Sequence, residues 1–464
     1  MPAIRSLVFA LGVFAMLAAA AGHPRAESTD RAVVRAFLTL LAGEAGDRAR
    51  AWELIETQWQ PSFLPMALEV IRLSRSAEVS GVLVGIMERK AGPGTESGAG
   101  AGPGHDLQAW QRRMWNAPEA RHPRYAAFKR ALYSLVDPRF SAYFDTVGEP
   151  LIRLDEIVWG GVRQDGIPPL RNPAMLAADD AGYLEDGHIV FGLSVNGDAR
   201  AYPKRILGWH EMFLDTVGGV PVAGVYCTLC GTVILYRTRH RGVDHRLGTS
   251  GFLYRSNKLM YDRDTESLWS TMQGAPVVGP LAGKGIVLER GSVVTTTWGE
   301  WRRRHPGTLV LSLDTGHQRD YAEGAAYREY FATDEPMFPV PVLDTRLKNK
   351  DEVFTLRLAR HPEAPLAISA EFLAATPVHH DAIEGTALAV LTDPSGANRA
   401  YASEDVTFAR YDGDRRVEDG TGAIWTMDEH RLTAEDGRVL RRLPAQRAFW
   451  FGWFAAFPDT RLVP

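Results

Sequence analysis

The sequence predicts an α+β protein: a helical N-terminal region followed by a strand-rich α+β unit that occurs twice, its second copy degenerate. Apolar residues recur at helical spacing up to about residue 150, and short apolar runs separated by Gly, Asp and Pro follow. An internal repeat predicts the duplication. We expect a signal peptide over 1–26, a helical domain over 27–150, the first α+β copy over 151–349 and the second over 350–464.

The N-terminal segment has the pattern of a secretory signal. Leu7 to Ala21 is an unbroken apolar run after the single positive charge of Arg5, and it ends in small residues. The run is shorter than the ~20 residues that a membrane-spanning helix needs. We therefore expect cleavage after Ala21 or Ala26 and a periplasmic or secreted mature protein, with an uncleaved N-terminal membrane anchor as the alternative.

The next region is predicted to be a helical domain with its aromatic residues in the core. Val33, Phe37 and Leu41 recur at helical spacing, and a second helical run extends from Leu107 to Phe144. An aromatic stripe within the second run is expected to be buried rather than to form a binding face. Its members are Trp110, Trp115, Tyr125, Phe128 and Tyr133.

Composition excludes several classes of function. The chain has 464 residues, 45% of them hydrophobic, and 52 basic against 56 acidic side chains give a net charge of −4. This balance argues against nucleic acid as a partner, and a membrane is expected only through the possible anchor. Two cysteines are too few for a disulfide scaffold or a four-thiolate zinc site. No other partner is predicted.

The internal repeat rests on three motifs that recur in the same order. The pattern Trp298-x-x-Trp301 with its downstream Pro and Thr returns as Trp450-x-x-Trp453 with the same spacing. Two further matches are Thr265 to Trp269 with Thr421 to Trp425, and Val190-Phe191-x-Leu193 with Val353-Phe354-x-Leu356. Gly219 to Gly231 corresponds to Gly385 to Gly396, where Asp393 and Ser395 stand near the positions of the cysteines. The second copy is therefore predicted to have lost the cysteine chemistry and to serve as a packing partner.

The sharpest local signal is Cys227-Thr228-Leu229-Cys230-Gly231. The residues on both sides are β-rich, so the cysteines are predicted to lie in a turn between two strands, with Gly231 supplying a positive φ. Such a knuckle favours a metal over redox chemistry, because redox cysteines usually sit at a helix N-terminus. A structural disulfide is a further alternative, since thiols outside the cytoplasm oxidise readily.

A metal would need further ligands. His210 is the best candidate, because it precedes the strand that delivers the cysteines, and Met260 is a second soft donor. His240 and His245 flank a polar hairpin turn and are expected to be solvated. Two thiolates with an imidazole suit zinc, and addition of Met260 would suit copper.

The chain also carries a set of short motifs that resemble a known family. They are Trp159-Gly160-Gly161, Asp165-Gly166-Ile167-Pro168, Ala201-Tyr202-Pro203, Trp209-His210-Glu211, Tyr226-Cys227-x-x-Cys230-Gly231-Thr232, Met260-Tyr261-Asp262-Arg263, Ser267-x-Trp269, Asp314-Thr315-Gly316 and Arg319-Asp320-Tyr321. Over about Glu156 to Asp344 the chain is similar to the bacterial family of unknown function DUF3179. The resemblance implies that this stretch is the family's domain, that the protein lies outside the cytoplasm and that the functional site is formed by these motifs. It does not imply a reaction. Asn257 and His317 depart from the family pattern.

Polar and aromatic groups in these motifs are candidates to line a pocket beside the cysteines. They are Tyr202, Glu211, Tyr226, Tyr261, Asp262, Arg263, Trp269 and Asp320. Most of them are equally good candidates for buried structural hydrogen bonding, and this is the preferred interpretation for Asp262 and Arg263, because adjacent opposite charges often pair with the backbone.

Three functions are consistent with the sequence. The first is a protein that binds copper or zinc through Cys227, Cys230 and His210, in metal handling or redox catalysis. The second is a thiol–disulfide oxidoreductase with Cys227 as the nucleophile. The third is an interaction protein with structural cysteines.

Overall fold

The computed structural model describes residues 29–91, 106–145 and 148–464, and the chain divides into two compact units, Met1–Thr146 and Val147–Pro464. The predicted signal peptide lies outside the described residues. Among the helices that can be described, none combines the length and the apolar character needed to cross a bilayer.

The first unit is helical, as predicted. Its helices are α1 (Thr29–Ala42), α2 (Ala45–Thr57), α3 (Leu64–Leu73), α4 (Ala77–Ala91), α5 (Leu107–Asn116), α6 (Tyr125–Ser134) and α7 (Phe140–Tyr143). The aromatic stripe is buried, which confirms that it belongs to the core. Phe37 of α1 packs edge-on against Phe63 and Phe128, so residues distant in sequence meet in one apolar centre.

The second unit contains both copies of the α+β arrangement. The strands of the first copy are β1 (Ile157–Trp159), β2 (Leu170–Arg171), β3 (Met175–Ala177), β4 (Ile189–Val195), β5 (Asp198–Pro203), β6 (Met212–Val217), β7 (Val220–Cys227), β8 (Thr232–Arg237), β9 (Arg239–His240), β10 (Val243–Asp244), β11 (Leu247–Tyr254), β12 (Asn257–Asp262), β13 (Leu268–Ser270), β14 (Ala275–Val278), β15 (Arg290–Gly291), β16 (Val294–Thr297) and β17 (Leu309–Leu311). Its helices are α8 (Lys204–His210), α9 (Trp298–Arg304) and α10 (Arg328–Phe331).

The second copy follows the same plan with fewer separate sheets. Its strands are β18 (Glu352–Leu356), β19 (Leu366–Ser369), β20 (Val378–Ile383), β21 (Thr386–Thr392), β22 (Asn398–Ala402), β23 (Phe408–Tyr411), β24 (Arg416–Asp419), β25 (Ile424–Met427), β26 (Arg431–Ala434), β27 (Val439–Leu443), β28 (Ala445–Phe449) and β29 (Arg461–Val463), and its helices are α11 (Ala370–Ala375) and α12 (Trp450–Ala456). Strands β20 to β27 form one continuous sheet in the order β20-β21-β22-β27-β26-β25-β24-β23.

Strand order reproduces the duplication. The first copy contains the order β16-β4-β5-β17 and the second β28-β18-β19-β29, and in both the last pair is parallel while the others are antiparallel. Val190 is paired with Pro203 and Val353 with Ser369, and each partner immediately precedes a helix. The two Trp-x-x-Trp helices, α9 and α12, each follow an edge strand directly. The predicted repeat is therefore a repeat of topology and register.

The sheet that presents the cysteines has the order β15-β8-β7-β6-β2. Side chains alternate along β7, so the two faces of this sheet bury different apolar clusters. Tyr226 packs with Phe191 in one cluster, and Cys227 lies in the other with Met260 and Trp269.

Candidate functional site

The residues 227–231, which we call the cysteine turn, connect β7 to β8. Cys227 pairs with Thr232 across the hairpin, as the sequence predicted for a turn between two strands. Gly231 has φ +59°, and a Cβ atom at this position would lie 2.8 Å from the ring of Phe449. Glycine is therefore required both by the backbone conformation and by the close approach of the second copy.

The two cysteines form a disulfide that closes the cysteine turn. Cys227 is 1% exposed and Cys230 is fully buried. The second copy supports the turn directly: the Phe449 N–H donates to the Cys230 carbonyl at 2.8 Å, and a Cβ on Gly452 would lie 2.6 Å from the Cys230 Cβ. The degenerate copy thus packs against the cysteines.

The equivalent turn of the second copy shows what replaces the cysteines. Asp393 stands at the position of Cys227, and Gly396, also at positive φ, at that of Gly231, in a loop one residue shorter. The Asp393 carboxylate accepts the backbone N–H groups of Ser395 and Ala397 at 2.9 and 3.1 Å. A carboxylate therefore closes this turn where a disulfide closes the other.

A buried carboxylate lies beside the cysteine turn. Glu211 ends α8 in the left-handed conformation, with φ 56°, and its carbonyl accepts the Tyr226 N–H at 2.8 Å. Its carboxylate accepts hydrogen bonds from the Thr228 hydroxyl at 2.9 Å and from the Tyr327 hydroxyl at 3.0 Å. Non-glycine residues in this conformation store backbone strain and are enriched at functional sites. The strained residue is the one that reaches the segment between the cysteines.

Lys258 of β12 completes this group. Its ammonium lies 2.7 Å from the second carboxylate oxygen of Glu211, and both side chains are buried. Burial lowers the pKa of Lys258, while the charge and hydrogen bond of Glu211 oppose that shift. The result is a buried ion pair in which each charge needs the other, because neither is solvated by bulk water.

Helix α10 covers the cysteine turn. Tyr330 is buried, and its hydroxyl donates to the Leu229 carbonyl at 2.5 Å. Tyr327, in the left-handed conformation immediately before α10, supplies the hydrogen bond to Glu211. The Lys350 ammonium lies over the Tyr330 ring, 3.4 Å from its centroid, and donates to the Thr333 carbonyl at 2.6 Å. This short helix therefore packs directly on the segment between the two cysteines.

His210 is buried and engages groups other than the cysteines. Its Nδ1 lies 2.8 Å from the Pro168 carbonyl, which can only accept, so Nδ1 carries the proton. Its Nε2 then accepts from the Tyr321 hydroxyl at 2.5 Å. Burial lowers the pKa of His210 to about 4, which keeps the ring neutral at physiological pH. Within the described ranges, no three or more His, Cys, Asp or Glu side chains are grouped so that they could hold a metal ion.

The remaining predicted residues fall into separate places. Tyr202 donates to Asp215 at 2.7 Å in the cluster on the other face of the cysteine sheet, which also contains Tyr226. Tyr261 donates to Asp165 at 2.8 Å. Asp320 is exposed on a loop, where its carboxylate accepts the Ala322 N–H.

The expectation that His245 is solvated was wrong. His245 is buried, because its ring packs on Trp269 at 4.9 Å and its Nδ1 lies 3.1 Å from the Asp262 carboxylate. Asp262 also accepts the backbone N–H of Asp264 at 2.9 Å, whereas Arg263 is exposed. The hairpin signal before His245 was read correctly, but nothing in the local sequence showed that the chain turns inward after it.

Sequence reasoning missed Lys258 and Tyr327 as members of the site. Lys258 stands between two residues that were singled out, Asn257 and Met260, and its burial inside a strand was the only available signal.

The comparisons agree with the family suggested by the motifs: the family model described as "Protein of unknown function (DUF3179)" matches residues 164–460. No curated protein and no solved structure gives a significant match.

Proposed function

The chain belongs to the DUF3179 family, and we propose that it is an extracytoplasmic thiol–disulfide oxidoreductase in which Cys227 and Cys230 are the redox couple. The observation that carries the proposal is the hydrogen bond from Thr228, between the two cysteines, to the buried carboxylate of Glu211. The predicted signal peptide supports a location outside the cytoplasm. Cysteine pairs persist as disulfides in such oxidising surroundings.

The reaction is exchange with a partner dithiol. A partner thiolate bonds to the sulfur of Cys227, the intramolecular S–S bond breaks, and its electron pair leaves on the sulfur of Cys230. The partner's second thiolate then attacks the mixed disulfide, which oxidises the partner and releases Cys227. The same steps in reverse oxidise the couple.

Glu211 and Lys258 supply and remove the proton that accompanies this exchange. The thiolate that leaves needs a proton in an environment without bulk water, since both sulfurs are buried. Glu211 is connected to the cysteine turn through the Thr228 hydroxyl, and Lys258 holds a second exchangeable proton 2.7 Å away. A proton source connected to the cysteine turn accelerates exchange in the way general acids do.

Exchange also requires that α10 moves. The Tyr330 hydroxyl is bonded to Leu229 and the Tyr327 hydroxyl to Glu211, so both the cysteine turn and the acid are covered by the same segment. A partner thiol reaches Cys227 when these two hydrogen bonds open. The bond to Leu229 contributes about 1 kcal/mol and the bond to the Glu211 carboxylate about 1.5–3 kcal/mol. Opening also requires Tyr330 to leave the apolar cluster in which it is buried.

The cysteines are also the basis of a second candidate function. Met260 is fully buried in the same apolar cluster as Cys227 and Cys230. In the reduced form, two thiolates near a thioether are soft donors of the type that copper prefers. The metal would then compete with the disulfide for the same sulfurs.

One preparation tests both candidates. Full-length protein purified from the periplasm is assayed for metal content, for free thiols, and for exchange with a peptide mixed disulfide, beside Cys227→Ser and Cys230→Ser. The proposal predicts exchange that is lost in both variants and no metal held by the cysteines of the oxidised protein. Stoichiometric copper or zinc with two free thiols would favour the metal site. A disulfide inert toward exchange would leave a structural role for the cysteines.

A further inference from the structure

A second group of donor side chains lies around His210, the neighbour of Glu211 in the Trp209-His210-Glu211 segment. Here the loop after β17 returns to α8, and it carries Thr315, His317 and Tyr321. The loop is fixed by the Trp209 indole N–H, which donates to the Asp320 carbonyl at 2.7 Å. We propose that His210, His317 and Tyr321 form a binding site for a divalent transition-metal ion, independent of the cysteines.

The orientation of His210 is that of a metal ligand. Histidines that bind metals almost always donate their other ring N–H to a carboxylate, a backbone carbonyl or water. In His210 the Nδ1–H donates to the Pro168 carbonyl at 2.8 Å, which leaves the Nε2 lone pair directed at Tyr321. The side chain is buried, so this direction is fixed by packing.

The spacing of the two histidines fits one shared ion. Their ring centroids are 5.2 Å apart. A metal bound at about 2.0–2.1 Å from each nitrogen lies about 3.2 Å from each ring centre, which places two rings at a tetrahedral angle about 5.2 Å apart. His317 is exposed, which gives an ion from solvent a route to the buried nitrogen.

Tyr321 supplies the third donor. Its hydroxyl lies 2.5 Å from His210 Nε2 and 2.6 Å from the Thr315 hydroxyl. On binding, the ion takes the place of the phenol proton, which is released to solvent, and the oxygen and nitrogen separate to about 3 Å. Two borderline imidazole nitrogens with one hard phenolate oxygen suit copper(II) or zinc and leave at least one position for water or a substrate.

The test uses protein with the disulfide intact, so that thiols cannot bind the ion. Equilibrium dialysis against Zn²⁺ and Cu²⁺ is expected to show one equivalent bound. Because His210 is buried, its replacement would test folding as well as binding, and the exposed His317 carries the test instead. His317→Ala should weaken binding at least about tenfold, since even the loss of an outer-shell partner costs that much. His430→Ala, at another exposed histidine, should change nothing.

Tyr321→Phe provides a spectroscopic readout, because it should abolish the visible absorption band of Cu²⁺ bound to a phenolate. The proposal is overturned if oxidised protein binds neither ion or if His317→Ala and Tyr321→Phe bind as the wild type does. It is also overturned if binding appears only after reduction of the disulfide, which would assign the metal to the cysteines. Thiol exchange is measured separately, so its failure leaves this test unaffected.

Discussion

The carboxylate of Glu211 accepts a hydrogen bond from the hydroxyl of Thr228 at 2.9 Å, which connects a buried acid to the residue that follows Cys227 in the disulfide turn. Glu211 reaches this position because it ends α8 in the left-handed conformation. This hydrogen bond connects the cysteine turn to a buried carboxylate, whereas in other redox proteins a helix N-terminus lies beside the cysteines.

Replacement of Glu211 should affect both the stability of the fold and the rate of thiol exchange, and the two effects can be measured separately. Glu211→Gln leaves Lys258 buried without its counter-charge and is expected to lower the free energy of unfolding by about 3–5 kcal/mol. The double variant Glu211→Gln with Lys258→Met should recover most of that stability but still exchange thiols more slowly than the wild type. Urea denaturation and exchange kinetics measure the two effects.

Asp215→Asn is the matched control for this pair. Asp215 is a buried carboxylate with two side-chain donors, Tyr202 and Arg200, on the other face of the same sheet. Its replacement should lower stability without slowing exchange in the protein that remains folded. Equal loss of exchange in both variants would argue against a chemical role for Glu211.

Loosening of α10 should speed reduction of the disulfide. Tyr330→Phe removes the hydrogen bond to the Leu229 carbonyl, worth about 1 kcal/mol, and should accelerate reduction by a small thiol about fivefold. Tyr401→Phe removes a comparable hydrogen bond, to the Asp428 carbonyl, in the second copy and should leave the rate unchanged. Thiol release followed over time measures the reduction rate of each variant. Equal rates for Tyr330→Phe and the wild type would show that α10 does not limit access to the disulfide.

The second copy should be needed for the cysteine turn. Gly452→Ala places a methyl group 2.6 Å from the Cys230 Cβ, where neither atom can rotate away, and should cost about 1–3 kcal/mol. Gly307→Ala, where a Cβ has no neighbour within 4 Å, should be close to neutral. Urea unfolding measures both, and an unaffected Gly452→Ala would mean that the two copies separate more easily than their packing indicates.

Acid should destabilise the second unit through Glu429. Burial raises the pKa of Glu429, but the charges of Arg399 and Arg442 and the hydrogen bond from Arg399 outweigh it, and the pKa lies well below its ordinary value. The ion pairs therefore stabilise the fold fully above about pH 4.5, and the contribution is lost as the pH falls toward the folded-state pKa. Asp393, which also pairs with Arg399, belongs to the same network.

Urea unfolding at neutral and acid pH checks this expectation. Glu429→Gln should be less stable than the wild type at pH 7 and should lose less stability below pH 4.5. Glu363→Gln, at an exposed glutamate, should follow the wild type at every pH. If the free energy of unfolding falls equally with pH in the wild type and in Glu429→Gln, Glu429 is not the cause of the acid sensitivity.

Much of the fold could be predicted because it is encoded locally. The turn at Cys227 to Gly231 follows from two β-rich flanks and a glycine, and the duplication follows from spacing that does not depend on long-range contacts. The match of Asp393 with Cys227 could also be inferred, since strand lengths in the two copies are nearly equal.

The candidate site was harder to predict because its members come from distant segments. Glu211, Lys258 and Tyr327 are separated by 47 residues or more in sequence, and tertiary pairing alone brings them together. His210 was singled out as a partner of the cysteines because it is close to them in sequence. Both of its ring nitrogens are in fact used by Pro168 and Tyr321, and the neighbouring Glu211 makes the contact with the cysteine turn.

The most direct test of the central claim is an equilibrium redox titration of the full chain under native conditions, with free thiols counted and near-UV circular dichroism recorded at each potential. A working couple predicts that two thiols appear and disappear reversibly while the circular dichroism of the folded protein is retained, and that the variant with Glu211→Gln and Lys258→Met shows an altered dependence of the midpoint on pH. Thiols that appear only together with loss of the near-UV signal would contradict the claim, since the disulfide would then be a structural bond.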